Sequence, residues 1–133
     1  MYELADRMFP ICRSITGDGF RKSLAMIREV VPEIEVYEVP TGTAVFDWTV
    51  PREWNIRGGW IRSLKGETIV DFRDTNLHVV GYSVPIHKVV SREELLEHVY
   101  TQPGQPDWIP YVTSYYKERW GFCMSERQKA QLT

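Results

Sequence analysis

At 133 residues, 43% hydrophobic and 26% charged, the chain can fold as a domain with a real core and is not a disordered segment. A formal net charge of -2 and a pI of about 5.9 exclude the basic footprint of a nucleic-acid-binding protein, and no lysine or arginine cluster marks an anionic membrane surface. No apolar run approaches the roughly 20 residues of a membrane span, and the opening MYELADRMFPICRSI lacks the basic-then-apolar order of a secretory signal, so the expected location is the cytoplasm, with Cys12 and Cys123 reduced.

Leu4, Met8, Ile11 and Ile15 recur at helical spacing and predict a helix over 2–14, with Pro10 weakening its middle. TGDG at 16–19 breaks it and offers Thr16 or Asp18 as an N-cap. Phe20, Leu24, Ile27 and Val31 then form one apolar stripe, and Pro32 ends the second helix. IEVYEV at 34–39 alternates as a strand does, and Pro40-Thr41-Gly42 is a turn. VFDWTV at 45–50 predicts a strand with Phe46, Trp48 and Val50 on a core-facing side.

Residues 60–72 read as a hairpin turning near Lys65-Gly66. Residues 77–89 read as a long strand whose proline places it at an edge or a bulge. Ser91 and Glu94 form a capping box opening a helix over Arg92–Tyr100. Three prolines make 101–110 irregular, and YVTSYY at 111–116 is a candidate strand. Ser125 and Gln128 form a second capping box, but only about two helical turns follow, a marginal length unless they pack on something. The class expected is α+β: N-terminal helices, then a small β-rich domain with one or two further helices.

The residues define no metal site and no catalytic group. HExxH and CxxC are absent, and a catalytic zinc needs about three converging ligands that His78, His87 and His98 do not supply by spacing. TGDG lacks the P-loop lysine. Ser14 and Ser114 lack a nucleophile-elbow context. Cys123 lies just before the predicted helix near Ser125, a weak reason for thiolate character, while a buried apolar cysteine is the commoner case. Two clusters remain, VFDWTVPREWNIR at 45–57 and PYVTSYYKERWGF at 110–122, where acids and arginines stand beside Trp and Tyr. Aromatic faces can stack on a ligand while Asp or Arg orients it. Their charged members, Asp47, Glu53, Lys117 and Arg119, can equally form a solvated rim.

Three stretches carry a family resemblance: ICRSITGDGFRKSL at 11–24, VPTGTAVFDWTVPREWNIR at 39–57 and PYVTSYYKERWGFC at 110–123. They resemble the bacterial and archaeal aminopeptidase-like proteins often labelled as polysaccharide-biosynthesis proteins, and the resemblance runs over essentially the whole chain. It implies a parent several hundred residues long, similar to di-zinc aminopeptidases, with a small β-rich domain inserted near the N-terminus. On that resemblance, 1–38 are N-terminal helices and the first strand of the hydrolase core, 39–117 the inserted domain, and 118–133 the start of the return to the core.

The family's metal-binding histidine and aspartates match no position before Thr133, so zinc is implied for the parent and no cofactor for this chain. The short capped helix at the end is also what a truncated chain would show. The expectation is that this portion shapes a substrate cleft. Asp47, Trp48, Glu53 and Trp54, then Tyr115, Tyr116 and Arg119, would contact substrate, with Asp47 or Glu53 receiving an ammonium group. The partners implied are the remainder of the parent and a peptide or carbohydrate ligand, not nucleic acid or membrane. The alternative is a stand-alone, non-catalytic module for carbohydrate or a protein partner.

Overall fold

Among the described residues two helices come first, then two antiparallel hairpins, then one helix on either side of a short parallel pair, and this segregation makes the class α+β. The computed structural model describes residues 2–13 and 15–132; Met1, Ser14 and Thr133 lie outside the described residues, and with Ser14 the last residue of the first predicted helix. The chain divides into two units between Ile56 and Arg57. The expected boundary after residue 38 falls inside the first unit and that after 117 inside the second.

In the first unit, α1 (Tyr2–Met8) stops earlier than its apolar spacing predicts, because Pro10 cannot donate into the next turn. Helix α2 (Asp18–Arg28) lies beside it, joined by an Arg7–Glu29 ion pair at 3.0 Å. The N-cap of α2 is Gly17, not Thr16 or Asp18, and its own side chains cap nothing. The cap comes from far along the chain: the Asp18 backbone N–H donates to Asn55 Oδ1 at 2.7 Å. Gly17 has φ 93°, and a Cβ there would lie 2.6 Å from the Trp54 carbonyl oxygen, so only glycine admits this approach. The expected stripe is only partly covered. Ser23 and Met26 are buried, Leu24 and Ile27 are half-buried, and Phe20 is exposed.

Segment 34–39 forms no strand, since no partner segment pairs with it among the described residues. The predicted strand at 45–50 is a tight hairpin instead. Strands β1 (Ala44–Val45) and β2 (Trp48–Thr49) pair antiparallel, Val45 opposite Trp48, around a two-residue turn at Phe46-Asp47. Phe46 takes φ 50° and is fully exposed rather than in the core. Paired backbone bonds between Gly42 and Val50 and between Val50 and Thr43, both 2.9 Å, extend the hairpin outward.

The second unit holds the main core. Strands β3 (Trp60–Arg62) and β4 (Thr68–Asp71) form the predicted hairpin, its turn closed by Gly66 N–H donating to the Ser63 carbonyl at 2.9 Å. Helix α3 (Arg92–Glu97) is capped by Ser91, whose hydroxyl accepts from the Glu94 N–H. It ends before the predicted Tyr100, because Val99–Tyr100 leaves as β5 to pair in parallel with β6 (Phe122–Cys123). Helix α4 (Glu126–Lys129) shows both halves of its capping box and is anchored beyond its end by buried Leu132.

Ile61, Val70, Val99, Phe122, Met124 and Leu132 form the core, with Leu95, Leu96 and Trp120 packed against it. The long strand expected over 77–89 does not form. Residues 76–78 make a 3-10 turn, Val79 and Gly81 each make a single bridge (to Phe122 and Thr113), and Tyr82 enters the left-handed region at φ 65°. Residues 111–116 contribute only the Thr113 bridge and are not a strand. Among the described residues no helix is long and apolar enough to cross a membrane.

Candidate substrate-contacting surfaces

In the first unit, the hairpin presents Asp47 at its tip and Trp48 beside it, both exposed, with Trp48 at 44%. Downstream, the PREWN loop is strapped onto α2. Arg21 donates to both Glu53 oxygens, through Nη1 at 3.1 Å and through Nη2, and stands 3.3 Å from Asp18 and 4.0 Å from Glu38. The hydrogen bond from Arg21 holds the Glu53 carboxyl below its ordinary range, and Glu53 in turn raises Arg21. Glu53 is therefore occupied; receiving a substrate ammonium there requires displacing Arg21. Among the described residues Asp47 takes part in no ion pair. Trp54 is half-buried, its backbone closing over Gly17.

In the second unit, Tyr115 is half-buried and packs edge-on against Tyr82, ring centroids 5.0 Å apart. Tyr116 is 62% exposed, its ring 6.4 Å from that of Tyr115. Arg119 is half-buried. Its Nη2 donates to the Thr113 carbonyl at 2.9 Å and its Nη1 to the Tyr100 hydroxyl at 3.3 Å, with the guanidinium carbon 5.6 Å from the Tyr100 ring centroid. Tyr82, Tyr100 and Thr113 were not singled out from the sequence; Gly81, which lets the chain approach Thr113 closely, is the one local sign of this neighbourhood. Holding Tyr82 at positive φ costs on the order of 1–3 kcal/mol, which its burial and the bonds around it must offset.

Two of the three histidines are engaged structurally, and the third, exposed His87, stands edge-on to Trp60. His78 is buried and its Nδ1–H donates to the Cys123 carbonyl at 2.8 Å. His98 does the same to the Trp120 carbonyl at 3.0 Å while stacking on the Trp120 ring at 3.6 Å. Among the described residues no three His, Cys, Asp or Glu side chains are grouped to hold a metal ion.

Cys12 and Cys123 remain thiols, with no disulfide between them. Cys123 is fully buried, and desolvation pushes its thiol up to about 11. It therefore lacks the thiolate character that its place before α4 suggested. At pH 7.5, iodoacetamide is expected to modify Cys12 first, and Cys123 about 100-fold more slowly than an unperturbed thiol, read by peptide mass spectrometry.

Asp71, 6% exposed, is the most perturbed carboxylate. Arg73 donates to it through Nη2 at 2.7 Å, through Nε at 3.1 Å and through its backbone N–H at 2.9 Å. The Arg73 side-chain bonds, then its backbone bond, pull the pKa down to about 2 from 3.8. A carboxylate lowered on folding stabilises the fold above its unfolded pKa and loses that contribution as pH falls through its folded one. Thermal stability followed by circular dichroism is expected to drop as pH falls from about 4 toward 2, and Arg73→Ala is expected to flatten that drop.

Residues 53–133 match the family described as a domain of unknown function, DUF2172, and the chain belongs to that family. It is also 52% identical, over 99% of its length, to a Clostridium acetobutylicum protein named for polysaccharide biosynthesis and for an aminopeptidase-like domain. A crystal structure from Clostridium acetobutylicum at 2.37 Å, named for a peptidase, superposes with a TM-score of 0.93 at 52% identity over 99% of this chain. The chain spans 30% of the length of that curated relative and 31% of that solved chain.

Proposed function

We propose that this chain is the N-terminal and inserted-domain portion of a zinc aminopeptidase-like hydrolase, in which it shapes the substrate cleft and leaves metal binding to the remainder of the parent. The observation that carries this reading is 52% identity across 99% of the chain to a protein named for an aminopeptidase-like domain, of which the chain spans 30%. The described residues group no metal-ligand set, so the zinc ligands in this reading come from elsewhere in the parent.

The contribution of this portion is recognition. Trp48 offers an aromatic face to a substrate side chain, and Asp47 at the hairpin tip offers an exposed carboxylate to an ammonium group. Glu53 and Trp54 fasten the PREWN loop that follows the hairpin, through Arg21 and over Gly17. Tyr115, Tyr116 and Arg119 form a separate contact surface in the second unit.

The test is made on the full-length parent, with zinc content and aminopeptidase kinetics measured on wild type, Trp48→Ala and Asp47→Asn. The expected result is bound zinc, release of N-terminal residues, and a KM raised about 5- to 20-fold by either variant, with kcat and zinc content little changed. An unchanged KM in both variants removes the recognition role; a parent without zinc or activity removes the hydrolase reading.

Exposure of Trp48 at 44% and Trp60 at 45% also favours a second reading, a stand-alone module for carbohydrate or a protein partner. Saturable quenching of tryptophan fluorescence by neutral sugars in this chain would support it over the first.

A further inference from the structure

We infer that Arg119 anchors a carboxylate-binding site in the second unit, taking an acidic ligand of peptide or sugar origin. The inference rests on the proposed recognition role of Tyr115, Tyr116 and Arg119 and names the chemistry that surface selects. A guanidinium carries five N–H donors and a permanent charge. Two of these donors are engaged, and both acceptors, the Tyr100 hydroxyl and the Thr113 carbonyl, are neutral. Among the described residues no carboxylate lies within 4.0 Å of Arg119, and its Nε is enclosed without an acceptor. The half-buried arginine is thus charged, partly desolvated and unneutralised; with Nε shut in by the chain, the edge left for a planar carboxylate is the one formed by the N–H of Nη1 and the N–H of Nη2 that Tyr100 and Thr113 do not take.

The surroundings are held in place for such a role. Val84 N–H donates to the Arg119 carbonyl at 3.0 Å, and Ser114 N–H to the Gly81 carbonyl at 3.0 Å, so the turn around left-handed Tyr82 is fastened on both sides to the segment bearing Arg119. Tyr115 packs on Tyr82 within that arrangement, and the Tyr100 ring lies beside the guanidinium. A positive-φ tyrosine two residues before the backbone bond to Arg119, and an arginine whose buried Nε meets no acceptor, are two departures from an ordinary structural surface in one part of the unit.

The test titrates this 133-residue chain with four probes by heteronuclear NMR: the dipeptides Ala-Glu and Ala-Gln, and the sugars glucuronate and glucose, with the dipeptides blocked at both termini so that the side chain is the sole difference. The expected result is saturable binding of at least one acid, at least about 10-fold tighter than its neutral counterpart, with movement of the Arg119 side-chain N–H resonances. Arg119→Gln is expected to remove that preference. The tighter acid identifies the peptide or the sugar source.

Equal binding of acid and neutral probes, no binding of either acid, or acid binding unchanged in Arg119→Gln overturns the inference. Should Arg119→Gln fail to fold, unmoved Arg119 resonances in wild type at saturating acid overturn it instead. Because the readout needs neither zinc nor the parent, its failure is separable from failure of the hydrolase reading.

Discussion

Met124→Ala is expected to destabilise the fold by about 2–5 kcal/mol and to lower the melting temperature by about 10 °C or more. Met124 has no exposed surface and sits in the core with Ile61, Val70, Val99, Phe122 and Leu132. Truncation removes the transfer free energy of the side chain and leaves a cavity that the short strands around it cannot close, since each is fixed by pairing: Ile61 opposite Val70, and Val99 opposite Phe122. A loss of that size is a large part of the 5–15 kcal/mol typical of a domain. Met124→Leu, which nearly conserves volume, is expected to cost less than about 1.5 kcal/mol. Equal melting temperatures for the alanine and leucine variants would show that the core does not depend on filling this position.

Gly19→Ala is expected to destabilise the first unit by about 3 kcal/mol or more, although propensity alone argues the opposite sign. Within a helix, glycine to alanine normally gains about 1 kcal/mol. Here a Cβ would stand 2.0 Å from the Cys12 carbonyl oxygen and 3.1 Å from its carbon, so backbone, not a flexible side chain, must move. Overlap with backbone outweighs the propensity gain. Chemical denaturation of Gly19→Ala beside Ala25→Gly, an exposed position of the same helix expected to cost about 1 kcal/mol, checks both terms. A Gly19→Ala variant as stable as wild type would contradict the close approach of the two segments.

What could be read from the sequence was local. The capping box of Ser125 with Gln128 and the hairpin around Gly66, both local, formed as expected, and Ser91 caps its helix although the Glu94 carboxylate turns to Lys88 instead of closing the box. What could not be read depends on distant partners. The α2 cap is supplied by Asn55, 37 residues beyond Asp18, and no neighbour of Asp18 announces it. Segments 34–39, 77–89 and 111–116 have strand-like composition, but a strand needs a partner in register; among the described residues they find none, two isolated bridges to different segments, and one bridge, respectively. VFDWTV misled because its turn uses Phe46-Asp47 rather than the Asn-Gly type that marks a two-residue hairpin.

The candidate site shows the same division. The residue types of the two aromatic clusters were legible, and so was the family they resemble. Whether each charge is open or occupied was not: Glu53 is taken by Arg21, 32 residues earlier, whereas among the described residues Arg119 meets only neutral acceptors. Such pairings belong to the fold and have no signature in the spacing of either residue.

The most direct test of the central claim is the intact mass of the polypeptide that carries this sequence in its native source. The account predicts a mass well above 15.6 kDa, the value for these 133 residues, because the sequence would be one portion of a longer hydrolase. A native polypeptide of 15.6 kDa would contradict that reading and leave a module acting on its own.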